Sequence, residues 1–260
     1  MGCDRLYLPS FRLDQKTVLV TGAGRGIGRA LAIGMAEAGA DVLLVARTES
    51  DLQETAKQIE QLGRRAFVLT CDVTDRTQVQ ATVDRAYTYV DRIDVLVNNA
   101  GMNIRSKALD VTEEEWETIQ QTNLKSAFLF SQEIGRRMQD TGGSILNIAS
   151  VAGHVALRTG VVYATTKAAL IQMTKVLALE WGPKNIRVNA IGPWYFKTPL
   201  TEPLLADPTY LQDIVDVTPL GRVGELTELV GPAVFLSSDA GTYVTGQTLF
   251  VDGGMTIKGF

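Results

Sequence analysis

Seven short runs of the chain, TVLV (17–20), DVLLV (41–45), AFVLT (66–70), DVLVN (94–98), SILNI (144–148), IRVNAI (186–191) and TLFV (248–251), are apolar almost without interruption. A strand with one face in water alternates apolar and polar residues, whereas a strand covered on both faces has no reason to alternate. The seven runs therefore read as strands buried on both sides. Between them lie longer segments of helical periodicity, near 26–38, 50–62, 75–90, 112–139, 160–181 and 225–238. Parallel strands require such crossovers, because a tight turn cannot return the chain to the same end of a sheet. The expected fold class is α/β, with about seven parallel strands and helices on both faces.

A chain of 260 residues with 45% hydrophobic content has ample material for a large core, and no repeat, low-complexity tract or linker divides it. One domain over residues 1–260 is expected. Ser50 reads as the cap of the second helix and Gly63 as its stop, and Thr112 followed by Glu115 has the spacing of a capping box. The segment 193–217, with Pro193, Pro199, Pro203 and Pro208, breaks the regular pattern and reads as a lid or pocket wall, or as a plain surface loop.

A net charge of −4 with scattered cations gives no field for nucleic acid. No apolar run reaches the ~18 residues that span a bilayer, and the amino terminus lacks the apolar core of a signal peptide, so no membrane partner and a cytoplasmic location are expected. Met1-Gly2-Cys3 resembles the start of an acylation signal, but Leu6 stands where Ser or Thr is required. Cys3, Cys71 and His154 are too few for a Cys/His metal site, so no metal is expected.

Directly after the first strand, TGAGRGIG (21–28) opens the first helix. Glycines at Gly22, Gly26 and Gly28 follow GxxxGxG, which permits a tight turn, close approach of a pyrophosphate and close helix–strand packing. The helix N-terminus adds unpaired N–H groups and the positive end of a dipole. A dinucleotide cradle in a doubly wound, Rossmann-like sheet follows, and the missing GK[ST] ending excludes a P-loop. At the end of the second strand, Ala46-Arg47 replaces the acidic residue that would accept a ribose 2′-OH. Arg47, with Arg25 from the glycine turn, favours NADP(H) over NAD(H) by offering charge to a 2′-phosphate. Either arginine has an alternative in solvent, or in a pair with Glu49 or Asp51.

YATTK (163–167) sets a phenol and an amine four residues apart, on one helix face a turn from each other. Alone, such a pair also fits a solvated helix face. Taken in order with TGAGRGIG, Asp72-Val73, NNAG (98–101), Asn123 and Ser150, it resembles the short-chain dehydrogenase/reductase family over about Leu13 to Gly254.

The resemblance implies a catalytic tetrad of Asn123, Ser150, Tyr163 and Lys167. Hydride exchange with a nicotinamide needs a partner that moves a proton at the substrate oxygen, the role implied for Tyr163. A free phenol has a pKa of ~10, and Lys167 is expected to lower it. Ser150 would orient the substrate oxygen, and Asn123 would hold a water linked to Lys167 through its side chain or a distorted helix, or would be an ordinary buried asparagine. The sequence IASVAGH lacks the GxSxG elbow of a serine hydrolase, so His154 reads as lining the pocket mouth rather than as a base.

Cofactor contacts implied for Gly22, Arg25, Gly26, Ile27 and Gly28 are joined by Asp72 and Val73 at the adenine and by Asn99, Ala100 and Gly101 at the ribose and nicotinamide. Tyr163, Lys167, Pro193 and Thr198 complete the set. Trp194 stands where the family has glycine and is expected to touch the substrate. The tail GQTLFVDGG (246–254) implies a homotetramer. YFKTPLTEPLL (195–205) resembles members acting on sugar acids and polyols, such as gluconate 5-dehydrogenases, and a small carbonyl or alcohol substrate is expected. The overall pattern also resembles 3-oxoacyl-carrier-protein reductases, which would need cations near the pocket mouth, with Arg136, Arg137 and Lys184 as candidates. A nucleotide-binding redox sensor without catalysis is the alternative of a different class, and the phenol–amine pair argues against it.

Overall fold

The structure of the protein, a computed structural model, describes residues 7–158 and 160–258, and the Met1-Gly2-Cys3 start lies outside them. The chain runs β1 (Thr17–Thr21), α1 (Gly26–Glu37), β2 (Asp41–Ala46), α2 (Glu49–Gln61), β3 (Ala66–Thr70), α3 (Arg76–Tyr89), β4 (Val95–Asn98), α4 (Glu113–Gln120), α5 (Ser126–Met138) and β5 (Gly143–Ile148). It continues through α6 (Val161–Trp181), β6 (Ile186–Pro193), α7 (Glu202–Leu205), α8 (Pro208–Asp216), α9 (Thr227–Ser237) and β7 (Thr248–Val251).

All seven strands lie in one sheet of order β3-β2-β1-β4-β5-β6-β7, and every pairing is parallel. The near-continuous apolar runs have the cause expected of them. Val18, Val20, Val42 and Leu44 pack into one core cluster with Leu31 and Met35 of α1, while Leu19, Leu43 and Val45 face another with Val83, Phe130 and Ile134 of α3 and α5. Neighbouring residues of one strand thus point into two different cores, and both directions are dry. Strand order reverses between β1 and β4, so the crossovers leaving them diverge and open a crevice at the C-terminal ends of the strands.

Several local expectations need correction. Ser50 lies inside α2, which starts at Glu49 after an extended Thr48 that makes no side-chain cap. Gly63 does stop this helix: it follows the C-cap Leu62 at φ +75°, a conformation glycine adopts freely. The Thr112–Glu115 capping box forms, each side chain meeting the other's backbone N–H. The helix it opens is not continuous to residue 139, because a π turn over Gln121–Lys125 separates α4 from α5. Nor is the segment 193–217 irregular throughout. It holds α7 and α8, the latter capped by Asp207, whose carboxylate accepts from the Thr209 and Tyr210 N–H groups.

Candidate active site

A cleft of about 890 Å³ occupies the crevice. It runs from Arg47, Asp72 and Val73, past the glycine turn and Asn99-Ala100-Gly101, to Ser150, Tyr163, Lys167, Pro193, Trp194 and Thr198. These positions are far apart in sequence and meet because each follows, or lies on the helix after, the C-terminal end of a parallel strand. Of the residues expected to carry catalysis or to hold cofactor or substrate, Asn123 is fully buried beside the cleft and His154 stands away from it; the others line it.

The glycine turn is shaped by contact on one side and open space on the other. A Cβ on Gly28 would lie 2.1 Å from the Gly22 carbonyl oxygen and 2.4 Å from Asn99 Nδ2, so α1 begins in direct contact with β1 and the β4 loop. On Gly26, at φ +56°, a Cβ would meet nothing nearer than Pro199 and Thr198 at 3.7 Å. Arg25 precedes α1 without a side-chain cap bond, and no acidic residue occupies the first turn. Free N–H groups with the positive dipole end therefore face a cavity wide enough for a pyrophosphate, and the residues present fit a dinucleotide. Arg29 holds the turn from behind, its Nε donating to the Gly24 carbonyl at 2.9 Å, while Thr55 donates to Ala23 at 3.2 Å.

Arg25, Ile27 and Arg47 line the cleft, and both arginines are exposed. Among the described residues neither forms an ion pair, with Glu49, Asp51 or any other carboxylate. Asp72 Oδ1 accepts from the backbone and hydroxyl of Thr74, bonds that hold its carboxyl below the usual range, with Arg47 adding to the effect.

At the other end, α6 carries Tyr163 and Lys167 on one face. Lys167 is 4% exposed, its ammonium lies 5.5 Å from the Tyr163 ring centroid, and it donates to the Ile148 carbonyl at 2.7 Å. Burial lowers the lysine to about 8. Tyr163 is half-buried, and desolvation raises its phenol, opposed by the Ser150 hydroxyl and by the charge of Arg105. In the protein alone burial prevails over the groups that draw the phenol down, the Ser150 hydroxyl first and then Arg105. Ser150 Oγ accepts from the Ala152 N–H at 3.1 Å, which leaves its O–H free to donate into the cleft.

Asn123 sits in the π turn. Its Oδ1 accepts from Met102 N at 2.8 Å, and its Nδ2 donates to Met102 O at 2.8 Å and to Thr166 Oγ1 at 3.3 Å. The side-chain donors are thus committed to the β4 loop and to α6, and the distorted backbone of the π turn is the part of the expectation that stands. A Cβ on Gly101 would lie 3.4 Å from Asn123 Oδ1 and 3.7 Å from Lys167 Nζ, a measure of how tightly the three converge.

His154 does not line the pocket mouth: a 3₁₀ turn after Ser150 carries it outward, exposed, with its ring 5.0 Å from that of Phe250. Trp194 does line the cleft, its indole N–H donating to Thr218 Oγ1 at 3.0 Å. Arg136, Arg137 and Lys184 just precede β5 and β6, at the end of the sheet away from the cleft, and the two arginines are engaged by Glu133 and Asp84. Arg105 was missed because nothing in MNIRSKALD distinguishes it from a loop cation; only the approach of this loop to α6 places its charge near Tyr163.

The family model described as enoyl-(acyl carrier protein) reductase matches residues 22–256. The chain is 40% identical over 251 residues to the 2-dehydro-3-deoxy-D-gluconate 5-dehydrogenase of Dickeya dadantii (strain 3937), covering 96% of this chain and 98% of that protein. It is 41% identical over 249 residues to the NAD-dependent glycerol dehydrogenase of Listeria innocua, covering 95% and 96%. The crystal structure of a gluconate 5-dehydrogenase from Burkholderia cenocepacia J2315, in complex with NADP and tartrate, superimposes with a TM-score of 0.93 at 39% identity, covering 96% of this chain and 98% of that one. With the sheet order, the glycine cradle and the Ser150–Tyr163–Lys167 grouping, these likenesses establish that the chain belongs to the short-chain dehydrogenase/reductase family, nicotinamide-dependent oxidoreductases of alcohol and carbonyl groups.

Proposed function

We propose that the chain is a single catalytic domain that interconverts a secondary alcohol and a carbonyl on a small hydroxy acid of the sugar-acid class, using NADP(H). The observation that carries the substrate class is Arg105. It is half-buried, its charge acts on Tyr163, its hydrogen bond to Tyr195 Oη is long at 3.4 Å, and among the described residues no carboxylate pairs with it. A guanidinium so placed suits a substrate carboxylate, which it would take bidentately. The relatives named for gluconate derivatives, and the neighbour holding tartrate, support the same class.

The nicotinamide, when bound, supplies or accepts the hydride. Tyr163 gives or takes the proton at the reacting oxygen. Ser150 holds that oxygen with the O–H that Ala152 leaves free, and Arg105 favours the phenolate. Lys167 holds the nicotinamide ribose, and Asn123 fixes the β4 loop against α6. Unpaired Arg25 and Arg47 at the adenosine end support the choice of NADP(H). Exposed Phe128, Val176 and Leu179 on α5 and α6, with Leu249 on β7, support a homotetramer. An acyl-carrier protein as substrate is disfavoured, because Arg136, Arg137 and Lys184 lie away from the cleft.

The test is oxidation of D-gluconate and of glycerol with NADP⁺, followed by reduced-nicotinamide absorbance. Gluconate should be the better substrate. Tyr163→Phe should lower kcat at least about 100-fold with NADPH still bound, and Arg105→Leu should cost about 10- to 100-fold in kcat/KM for gluconate and little for glycerol. Equal loss on both substrates would refute the carboxylate role.

A further inference from the structure

We propose that Trp194 is a fixed wall that sets the depth of the substrate pocket and restricts this protein to compact substrates, a role that rests on the reading of the Tyr163 cleft as the reaction site. Where the family resemblance leads one to expect glycine, the turn after β6 places an indole in the same cleft as Ser150 and Tyr163. A glycine there would remove the largest side chain from a position that lines this cleft.

The indole is held rather than hinged. Its N–H donates to Thr218 Oγ1 at 3.0 Å, and that hydroxyl donates in turn to the Ile214 carbonyl at 2.7 Å, so it is oriented to accept. Thr218 is itself fixed, being 4% exposed and backed by Gly253, where a Cβ would lie 2.7 Å from Thr218 Cγ2. Tyr195 stands edge-on to the indole, with ring centroids 4.7 Å apart at 87°, and shares a 2.6 Å hydrogen bond between its hydroxyl and that of Tyr210 on α8. The backbone N–H of Trp194 donates to Val251 O at 3.3 Å, which extends the β6–β7 pairing to this residue. With its backbone in the sheet and its polar edge bonded beneath α8, the ring cannot swing aside for a larger substrate without breaking these contacts.

The test compares 5-keto-D-gluconate with the bulky ketone 2-tetralone, each reduced with NADPH by wild type, Trp194→Ala, Thr218→Val and Tyr163→Phe. In Trp194→Ala the ratio of kcat/KM for 2-tetralone over 5-keto-D-gluconate should rise at least about 10-fold. Thr218→Val, which keeps the indole but removes its acceptor, should raise it by less, within about 5-fold. Binding gives a second readout: 2-tetralone should raise the melting temperature of NADPH-saturated Trp194→Ala more than that of NADPH-saturated wild type. An unchanged ratio, or no turnover of 2-tetralone together with an equal melting shift in the two proteins, would overturn the wall. If Tyr163→Phe still reduces 5-keto-D-gluconate, the reading of the cleft fails instead.

Discussion

Replacing Gly28 by alanine would place a methyl carbon 2.1 Å from the Gly22 carbonyl oxygen, 2.4 Å from Asn99 Nδ2 and 2.8 Å from the Gly22 carbonyl carbon. Ordinary contact begins at 3.4 Å, so the start of α1 and the β1 turn must part by about 1.3 Å. Neither can yield cheaply. Gly22 is tied to β2 through its N–H to Val45 O at 2.7 Å, and Asn99 Nδ2 donates to Thr21 O at 3.0 Å and Gly22 O at 3.2 Å. Overpacking of this kind costs about 1–3 kcal/mol, or a drop of roughly 2–12 °C in melting temperature for a chain of this size. The displaced N–H groups are those that would hold the pyrophosphate, so NADPH affinity, read by quenching of tryptophan emission, should weaken at least about 10-fold as well. Gly63→Ala is the control, since at φ +75° it carries backbone strain of about 1 kcal/mol with nothing within 4 Å of the new methyl. It should lower the melting temperature and leave NADPH binding intact. If Gly28→Ala binds NADPH within about two-fold of wild type and melts within about 1 °C of it, the cradle is not built as described.

Lys167 and Arg47 give two further tests. Because burial lowers Lys167 to about 8 in the folded protein from 10.5, the unfolded chain binds the extra proton between those values, and stability attributable to this residue should rise with pH across that window. Wild type should therefore gain on the order of 2 kcal/mol over Lys167→Met between pH 7 and 10 in denaturant titrations, and a difference independent of pH would contradict the buried, unpaired ammonium. Arg47→Asp should weaken NADPH about 10- to 100-fold and leave NADH bound as well or better, and equal affinity of the wild type for the two cofactors would refute the phosphate role of the arginines.

The sheet was legible because burial on two faces erases the period-two alternation, and this mark is local to each run. The glycine turn and the Thr112–Glu115 box were legible for the same reason, since their chemistry spans a few consecutive residues. Ser50 misled because a good capping residue does not fix where a helix starts: α2 begins two residues earlier than a Ser50 cap requires, after Thr48, whose side chain makes no cap bond. The helices of the 193–217 segment escaped notice because Pro199, Pro203 and Pro208 read as breakers, although Pro203 and Pro208 occupy first-turn positions that tolerate proline.

By itself the sequence determined the sheet, the cradle and the identity of the groups gathered at the cleft. Only tertiary structure decided that the charge of Arg105 joins Ser150 in drawing on the Tyr163 phenol, that His154 turns away, and that three expected cations lie at the far end of the sheet. Periodicity records which residues are dry, and it is settled within one element. Electrostatics depends on distances between elements that only the crossovers bring together, so the charge of a loop arginine near a helix tyrosine has no local trace.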